Sequence, residues 1–469
     1  MTKPNKSVRA RLRDTDFNRA QSNIYRRLSA NLYKAREPEN SYYHIHGSLE
    51  ASSVLESLGL PAFKEEFTDA DYPEILKYIG DAVGKHSIEE LESLNNGLKA
   101  AGIMALKPAD FLATPHGTTV SAQPYWMLKT LETETPPVPF PAAVEGTERP
   151  QVLTGIKVLE LCRIIAGPTV TRILAEYGAE VLKITAPNAP DVPFFQVDGN
   201  VGKHTAELDL KSPEGRRQFE ELLADADVVV DGFRPHAIEK LGYGPEALAE
   251  LGRKRGKGYV YVNENCFGYD GEWEHRAGWQ QIADCVSGLA WCQGVAMGRD
   301  EPIIPPFPMS DYGYVFPSDL VRVIVNDLSR TGCMGAIAAL SGIYERATKG
   351  GSYWGQASLV QYDLLLLRLQ PYPKEVWQTL LASQDESFKT VRYNDSVDRI
   401  GQSALIALRK NAPWYWDEEE SKYLEEKEAP GFGGKIKIVR PAVRLGGTWN
   451  GFIETSRPNG YDKPEWWRK

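Results

Sequence analysis

No stretch of this chain is apolar over anything near the roughly 20 residues that a membrane helix requires, so the sequence offers no bilayer span and no membrane partner is expected. Cysteine is scarce. The thiols of Cys162, Cys266, Cys285, Cys292 and Cys333 are odd in number, form no C-x-x-C pair and sit among apolar or small neighbours. That pattern favours buried thiols in a reducing compartment over disulfides. The seven histidines make no metal-ligand pattern. His44 and His46, in "HIH", fall on one side of a strand, but no cysteine or carboxylate pair stands near to complete a metal shell, so no metal is expected. A basic excess is also missing. With 54 Lys and Arg against 63 Asp and Glu, the net charge is −9, which removes the basic footprint of a nucleic-acid binder.

The one basic segment is residues 1–40, with ten Lys and Arg against four acids. Asp14 and Asp16 lie inside its basic core. Transit peptides are poor in acids, so a solvated arm or first helix is favoured. No secretory apolar region is visible. A cytoplasmic location is expected, with the arginines leaving a mitochondrial address as the alternative.

What is present is an ordinary globular composition, 42% hydrophobic and 25% charged, with length for two or three domains. Residues 1–135 are mixed and mainly helical in pattern. Residues 136–151, "PPVPFPAAVEGTERPQ", are proline-rich and aperiodic, which marks a linker. Residues 152–365 alternate strand and helix. Residues 366–469 are irregular and aromatic-rich, with an acidic run, "DEEESKYLEEKE", expected to be a solvated face.

The central part reads as α/β. "IKVLEL" (156–161), "AEVLKIT" (179–185), "DVVVDGF" (227–233) and "GYVYVNENCFG" (258–268) are strands. Between them run helical patterns such as "SPEGRRQFEELLADA" (212–226), which opens on a Ser cap and a Pro at the first helical position. Strands separated by helices of this length predict right-handed crossovers and a parallel sheet with helices on both faces. Ligands of such sheets bind beyond the C-terminal strand ends. The segments expected there are "CRIIAGP" (162–168), "GFRPH" (232–236) and "FGYDG" (267–271). Each contains Gly, and two carry Arg beside a helix start, which suits a phosphate. The first turn lacks G-x-G-x-x-G, so it is not a dinucleotide fingerprint.

The order of motifs resembles a known family. "LTGIKVLELCRIIAGPTVTRILAEYGAEVLKI", "NVGKHTAELDLKSPEGRRQFEELLADADVVVDGFRPHAIEKLGYG", "FGYDGEWEHRAGWQQIADCVSGLAWCQG" and "VNDLSRTGCMGAIAALSGIYERATKGGSYWGQASL" are similar to successive segments of the family III (CaiB/BaiF) CoA-transferases. That group contains formyl-CoA transferase, carnitine CoA-transferase and α-methylacyl-CoA racemase. The likeness covers roughly residues 152–362. "LNNGLKAAGIMALKPADFLATPH" resembles a segment that usually lies near the family's C-terminus, so the front 135 residues resemble a degenerate repeat. The resemblance implies a Rossmann-like CoA-binding domain plus a smaller α+β domain, which residues 366–469 help to complete. It also implies an interlocked homodimer and no resident cofactor, with acyl-CoA and a carboxylic acid as substrates.

In the family, an aspartate attacks an acyl-CoA thioester, and CoA returns to it as an aspartyl-CoA thioester before a second acid takes the CoA. Carboxylate nucleophiles divide one hard exchange into easier covalent steps. The matching element is Asp327, separated by the four residues "LSRT" from Gly332 and the small-residue helix "GAIAAL". Asp311, in "PMSDYG", is the alternative. A carboxylate at a helix start is also an ordinary N-cap. The resemblance carries CoA contacts to Arg163, Ile164, Ala166, Lys203, Phe233, Arg234, Ala237 and Lys240. Gln280 stands where the family often has an acid, and its amide is suited to orient a carbonyl or donate to an oxyanion. The racemases have a His-Asp pair where Trp279-Gln280 stands. Trp and Gln supply no base, which argues against racemisation. Another acyl-CoA isomerase or lyase, or a degenerate acyl-CoA-binding protein, are the other readings on this scaffold.

Overall fold

The computed structural model describes residues 23–47, 49–141, 149–187, 191–308, 311, 331–369, 372–415 and 423–467. Strands β1 (Ala30–Lys34), β2 (Tyr42–His46) and β3 (Ile103–Met104) form a small antiparallel sheet. The helices Tyr72–Val83 and Ile88–Leu98 lie against it. The second helix begins at Ser87, whose hydroxyl accepts the Glu90 N–H while Glu90 accepts the Ser87 N–H. That reciprocal cap satisfies two orphan donors of the first turn. Tyr25, Tyr33, Ile45, Leu55, Ile75 and Ile79 close the core of this front unit.

The main sheet has seven strands: β4 (Trp126–Glu132), β5 (Lys157–Leu161), β6 (Glu180–Thr185), β7 (Lys203–Glu207), β8 (Val228–Asp231), β9 (Val260–Asn265) and β10 (Ser352–Ser358). Their spatial order is β4-β10-β9-β8-β5-β6-β7. All neighbours are parallel except β4 on β10. A last hairpin joins β11 (Leu424–Ala429) to β12 (Gly434–Val439).

Alternation explains the layers. On β8 and β9, Val228, Val230, Val260 and Val262 face one side with Val170, Ala336 and Ala339 from the helices Ala166–Glu176 and Thr331–Lys349. Val229, Tyr259 and Tyr261 face the other, with Phe219, Leu222 and Leu248. Successive strand side chains point to opposite faces, so one segment feeds two cores. The chain steps outward from β5 to β7, then returns to the other side of β5 to lay down β8, β9 and β10. The order reverses between β5 and β8, which makes the crevice past their C-terminal ends the place for a ligand.

The expected Rossmann-like sheet is present, with two differences at its edges. The strand Trp126–Glu132 falls inside the front segment expected to end at 135, yet it pairs with β10 as the antiparallel edge. The front unit also shares a core with the centre, because Tyr42, Ile103, Phe111 and Val120 pack with Ile282, Val286 and Leu359. Residues 423–467 close the opposite edge. Thr205 on β7 donates its hydroxyl to Pro458 O at 2.7 Å, and Trp467 stacks on His204 with ring centroids 3.5 Å apart.

Candidate active site

The crevice between β5 and β8 is built from two turns that nearly touch. A Cβ on Gly167 would lie 2.6 Å from Cys162 Sγ and 3.6 Å from the Cα of Gly232, so the close approach requires glycine. Ile164 takes the left-handed conformation, φ 68°, which turns the chain from β5 into the helix at Ala166. At the end of β8, Asp231 accepts the Phe233 N–H at 2.8 Å and the Tyr261 hydroxyl at 2.6 Å. Burial raises the Asp231 carboxyl to about 6 despite those bonds. The Arg163 guanidinium lies over the Phe233 ring, 5.4 Å from its centroid. Its pKa is lowered, first by burial and also by Arg234 nearby. Arg234 is exposed and donates to the Lys99 carbonyl of the front unit at 3.2 Å.

The structure therefore gathers Arg163, Ile164, Phe233 and Arg234 around one crevice. Ala166 is buried at the first position of its helix. Ala237 is half-buried and Lys240 is exposed, a turn further along. Lys203 does not join them. Its ammonium is fully buried, 2.7 Å from Glu160 Oε2 and 2.7 Å from Pro168 O, so it is committed inside the sheet and faces no phosphate. The "NVGK" text suggested a phosphate contact; the completed β7 pairing turns that side chain inward.

Beyond β8, β9 and β10 lies a group of buried acids. Asp311 is 9% exposed, and a Cβ on Gly332 would lie 3.1 Å from its carbonyl oxygen and 2.6 Å from Thr169 Cγ2. Asp311 thus sits where the N-termini of the helices Ala166–Glu176 and Thr331–Lys349 converge. Burial alone raises its carboxyl to about 7. Asp327 lies outside the described residues. Gln280 opens the helix Gln280–Ser287 and bonds through its amide N–H to Asp284, while its Oε1 has no hydrogen-bond partner among the described residues. Ser287 donates its hydroxyl to Asp363 at 3.1 Å. Asp284 and Asp363 are both pushed well up, chiefly by burial and then by like charge, Asp311 included. Trp279 stacks with His46 of β2, 5.9 Å between centroids.

Asp231, Glu264, Asp284 and Asp363 were not singled out from sequence. Glu264 carried a readable signal: it stands where the β9 alternation Val260, Val262 calls for another apolar residue. Among the described residues no group of His, Cys, Asp and Glu has the arrangement of a metal site, and no helix is long and apolar enough to cross a membrane.

Comparison with known proteins places this geometry. An acetyl-coenzyme A transferase of Hypoxylon pulicicidum is 32% identical over 466 residues, covering 96% of this chain and 73% of that one. CoA-transferase family III matches residues 153–379. The chain belongs to CoA-transferase family III. As a member it is a CoA-transferase, acting on CoA thioesters. An acyl-CoA transferase of Gibberella moniliformis is 32% identical over 413 residues, or 86% of this chain and 67% of the relative. Among solved structures, a CaiB/BaiF family protein of Brucella suis superposes with a TM-score of 0.45 at 18% identity, covering 66% of this chain and 97% of that one.

Proposed function

We propose that this family III CoA-transferase moves CoA from an acyl-CoA to a carboxylic acid with Asp311 as nucleophile, through an aspartyl-CoA thioester. The observation that carries this reading is the position of Asp311, nearly buried, at the convergence of two helix N-termini beside Gly332. Asp311 replaces Asp327 as the first choice because its backbone meets the small-residue helix in space, although residues 312–330 separate them in sequence. Burial suits the role. A carboxylate taken out of water is a stronger base and nucleophile than a solvated one, and helix N-termini favour the negative charge that develops on the attacked carbonyl oxygen.

In the first step an Asp311 oxygen bonds to the thioester carbon, the C–S bond breaks, and CoA thiolate leaves a mixed anhydride. The thiolate then attacks the aspartyl carbon and releases the donor acid. The acceptor acid repeats the sequence in reverse. Arg163 and Arg234, at the β5–β8 crevice, would hold CoA phosphates, with Phe233 as a wall. Gln280 would orient the reacting carbonyl through its amide. The reading includes an interlocked homodimer, a cytoplasmic location and no resident cofactor, as the family resemblance implies.

Relatives' names suggest donors and acceptors: an acetyl-coenzyme A transferase, and a succinyl-CoA:glutarate CoA-transferase of Mus musculus that is 30% identical over 241 residues. A ping-pong transferase exchanges label between an acyl-CoA and its own free acid without any second substrate. Incubation with acetyl-CoA and labelled acetate, or succinyl-CoA and labelled succinate, is expected to give labelled thioester. Binding of both thioesters with no exchange of either label would contradict the reading. Arg234→Ala is expected to raise KM for the acyl-CoA about tenfold or more, the worth of one charge-assisted contact, with no change in Tm because the side chain is exposed.

A further inference from the structure

The geometry points to Glu264 as the group that carries the reaction's proton, giving it to the CoA sulfur as the thioester C–S bond breaks and taking it back as that sulfur attacks the aspartyl carbon. This rests on Asp311 as nucleophile. Glu264 lies near the C-terminal end of β9, opposite Ala357 of β10. It shares the face of Val260 and Val262, the face covered by the helices that converge on Asp311. Ala357 beside it packs with Met334 in the first turn of the helix Thr331–Lys349. An acid is therefore built into an apolar row, close enough to Asp311 for their charges to interact. Glu264 is 8% exposed, and the charges acting on its carboxyl are those of Asp311 and Asp231, with no cation among them. A purely structural buried acid is normally paired or hydrogen-bonded. One with no cation acting on it, close to the nucleophile, is available to a substrate.

The groups facing Glu264 explain its protonation. Asp311 and Asp231, the latter on the neighbouring β8, act on it through their charges, and it acts in turn on Cys162, Cys266 and Tyr269; none is a cation. Burial first, then the charges of Asp311 and Asp231, raise the Glu264 carboxyl to about 8. It is therefore mostly neutral at pH 7. A thiol has an ordinary pKa of about 8.5, so the proton is shared between donor and leaving group with little driving force either way, the condition under which general acid catalysis works best. The balance is closed. The neutral carboxyl and the departing thiolate become a carboxylate and a thiol, and the return of the proton regenerates the thiolate that attacks the aspartyl carbon.

The test is the pH profile of acetyl-CoA/acetate exchange for the wild type, Glu264→Gln and Glu264→Asp, with melting temperatures measured alongside. The wild-type rate should rise to about pH 7 as Asp311 ionises and fall above about pH 8 as Glu264 loses its proton. Because the two carboxyls interact, the two apparent values belong to the pair. Glu264→Gln is neutral and similar in shape but transfers no proton. Its exchange should drop about 10²–10⁴-fold, the usual worth of a positioned acid, and lose the alkaline limb. Glu264→Asp should keep that limb at reduced rate. Exchange within threefold of wild type, with the same alkaline limb, in a folded Glu264→Gln would overturn the inference. Hydroxylamine trapping on the wild type separates the two claims. An Asp311 adduct with an unchanged limb in Glu264→Gln overturns the role of Glu264 alone. Exchange with no Asp311 adduct overturns the nucleophile and this inference with it.

Discussion

Asp311→Asn is expected to lower CoA exchange by at least about 10⁴-fold, the scale on which covalent nucleophiles fail when removed. Binding of CoA itself should change little, because the phosphate contacts proposed lie across the crevice at Arg163 and Arg234. The same variant should be more stable than the wild type at neutral and alkaline pH. The ordinary Asp value is about 3.9, and burial raises Asp311 to about 7 in the fold. A carboxyl raised on folding binds its proton more tightly in the native state, so wild-type stability is full at low pH and falls as pH climbs from about 4 through about 7. Asn carries no charge to bury and escapes that loss. The difference at pH 8 should reach up to about 4 kcal/mol, read as a higher Tm for Asp311→Asn at pH 8 and near-equality at pH 4. An inactive variant that gains stability marks a residue kept for chemistry against its folding interest. Loss of both activity and stability would instead identify Asp311 as a structural cap.

Lys203→Met should fail for the opposite reason. Lys203 and Glu160 are both fully buried, 2.7 Å apart, with Thr171 donating its hydroxyl to the same Glu160 oxygen at 2.6 Å. Burial pulls the Lys203 ammonium down to about 8 although Glu160 supports it. Removing the cation strands a carboxylate inside the sheet, with Lys183 no nearer than 3.8 Å. Breaking one side of such a pair destabilises by about 3–5 kcal/mol. Denaturant unfolding should show that loss, and Lys203→Met with Glu160→Gln should recover most of it, since replacing both partners leaves no unpaired charge. Unchanged stability in Lys203→Met together with a raised KM for acyl-CoA would restore the phosphate contact expected from the "NVGK" text.

The same pair shows what the sequence could and could not convey. Strands β5, β6, β8 and β9 and the helix Pro213–Asp225 were legible because their signals are local: apolar runs, a Ser cap, a proline at the first helical turn. β7 was not, since Lys203 and Glu207 at its ends read as polar, and only the fold shows that the lysine pairs with Glu160 from two strands away. β4 and β10 pair across more than 200 residues, and each is weakly patterned, with Gly355 and Gln356 inside β10. The nucleophile followed the same rule. Spacing favoured Asp327 because it stands nearest Gly332 along the chain, whereas contact through space favours Asp311. Asp231, Asp284 and Asp363 were invisible for a related reason, and Glu264 showed only as a break in the β9 alternation. A carboxylate looks solvated in sequence, and only its place on a core-facing row shows otherwise.

The most direct measurement is the site of the trapped acyl or CoA adduct. The protein is incubated with acetyl-CoA, quenched with hydroxylamine, digested and mapped by mass spectrometry. The hydroxamate is expected on Asp311, and to vanish in Asp311→Asn. A hydroxamate on Asp327 with Asp311 unmodified would contradict the account, because the carboxylate held where the two helices converge would then not be the one that reacts.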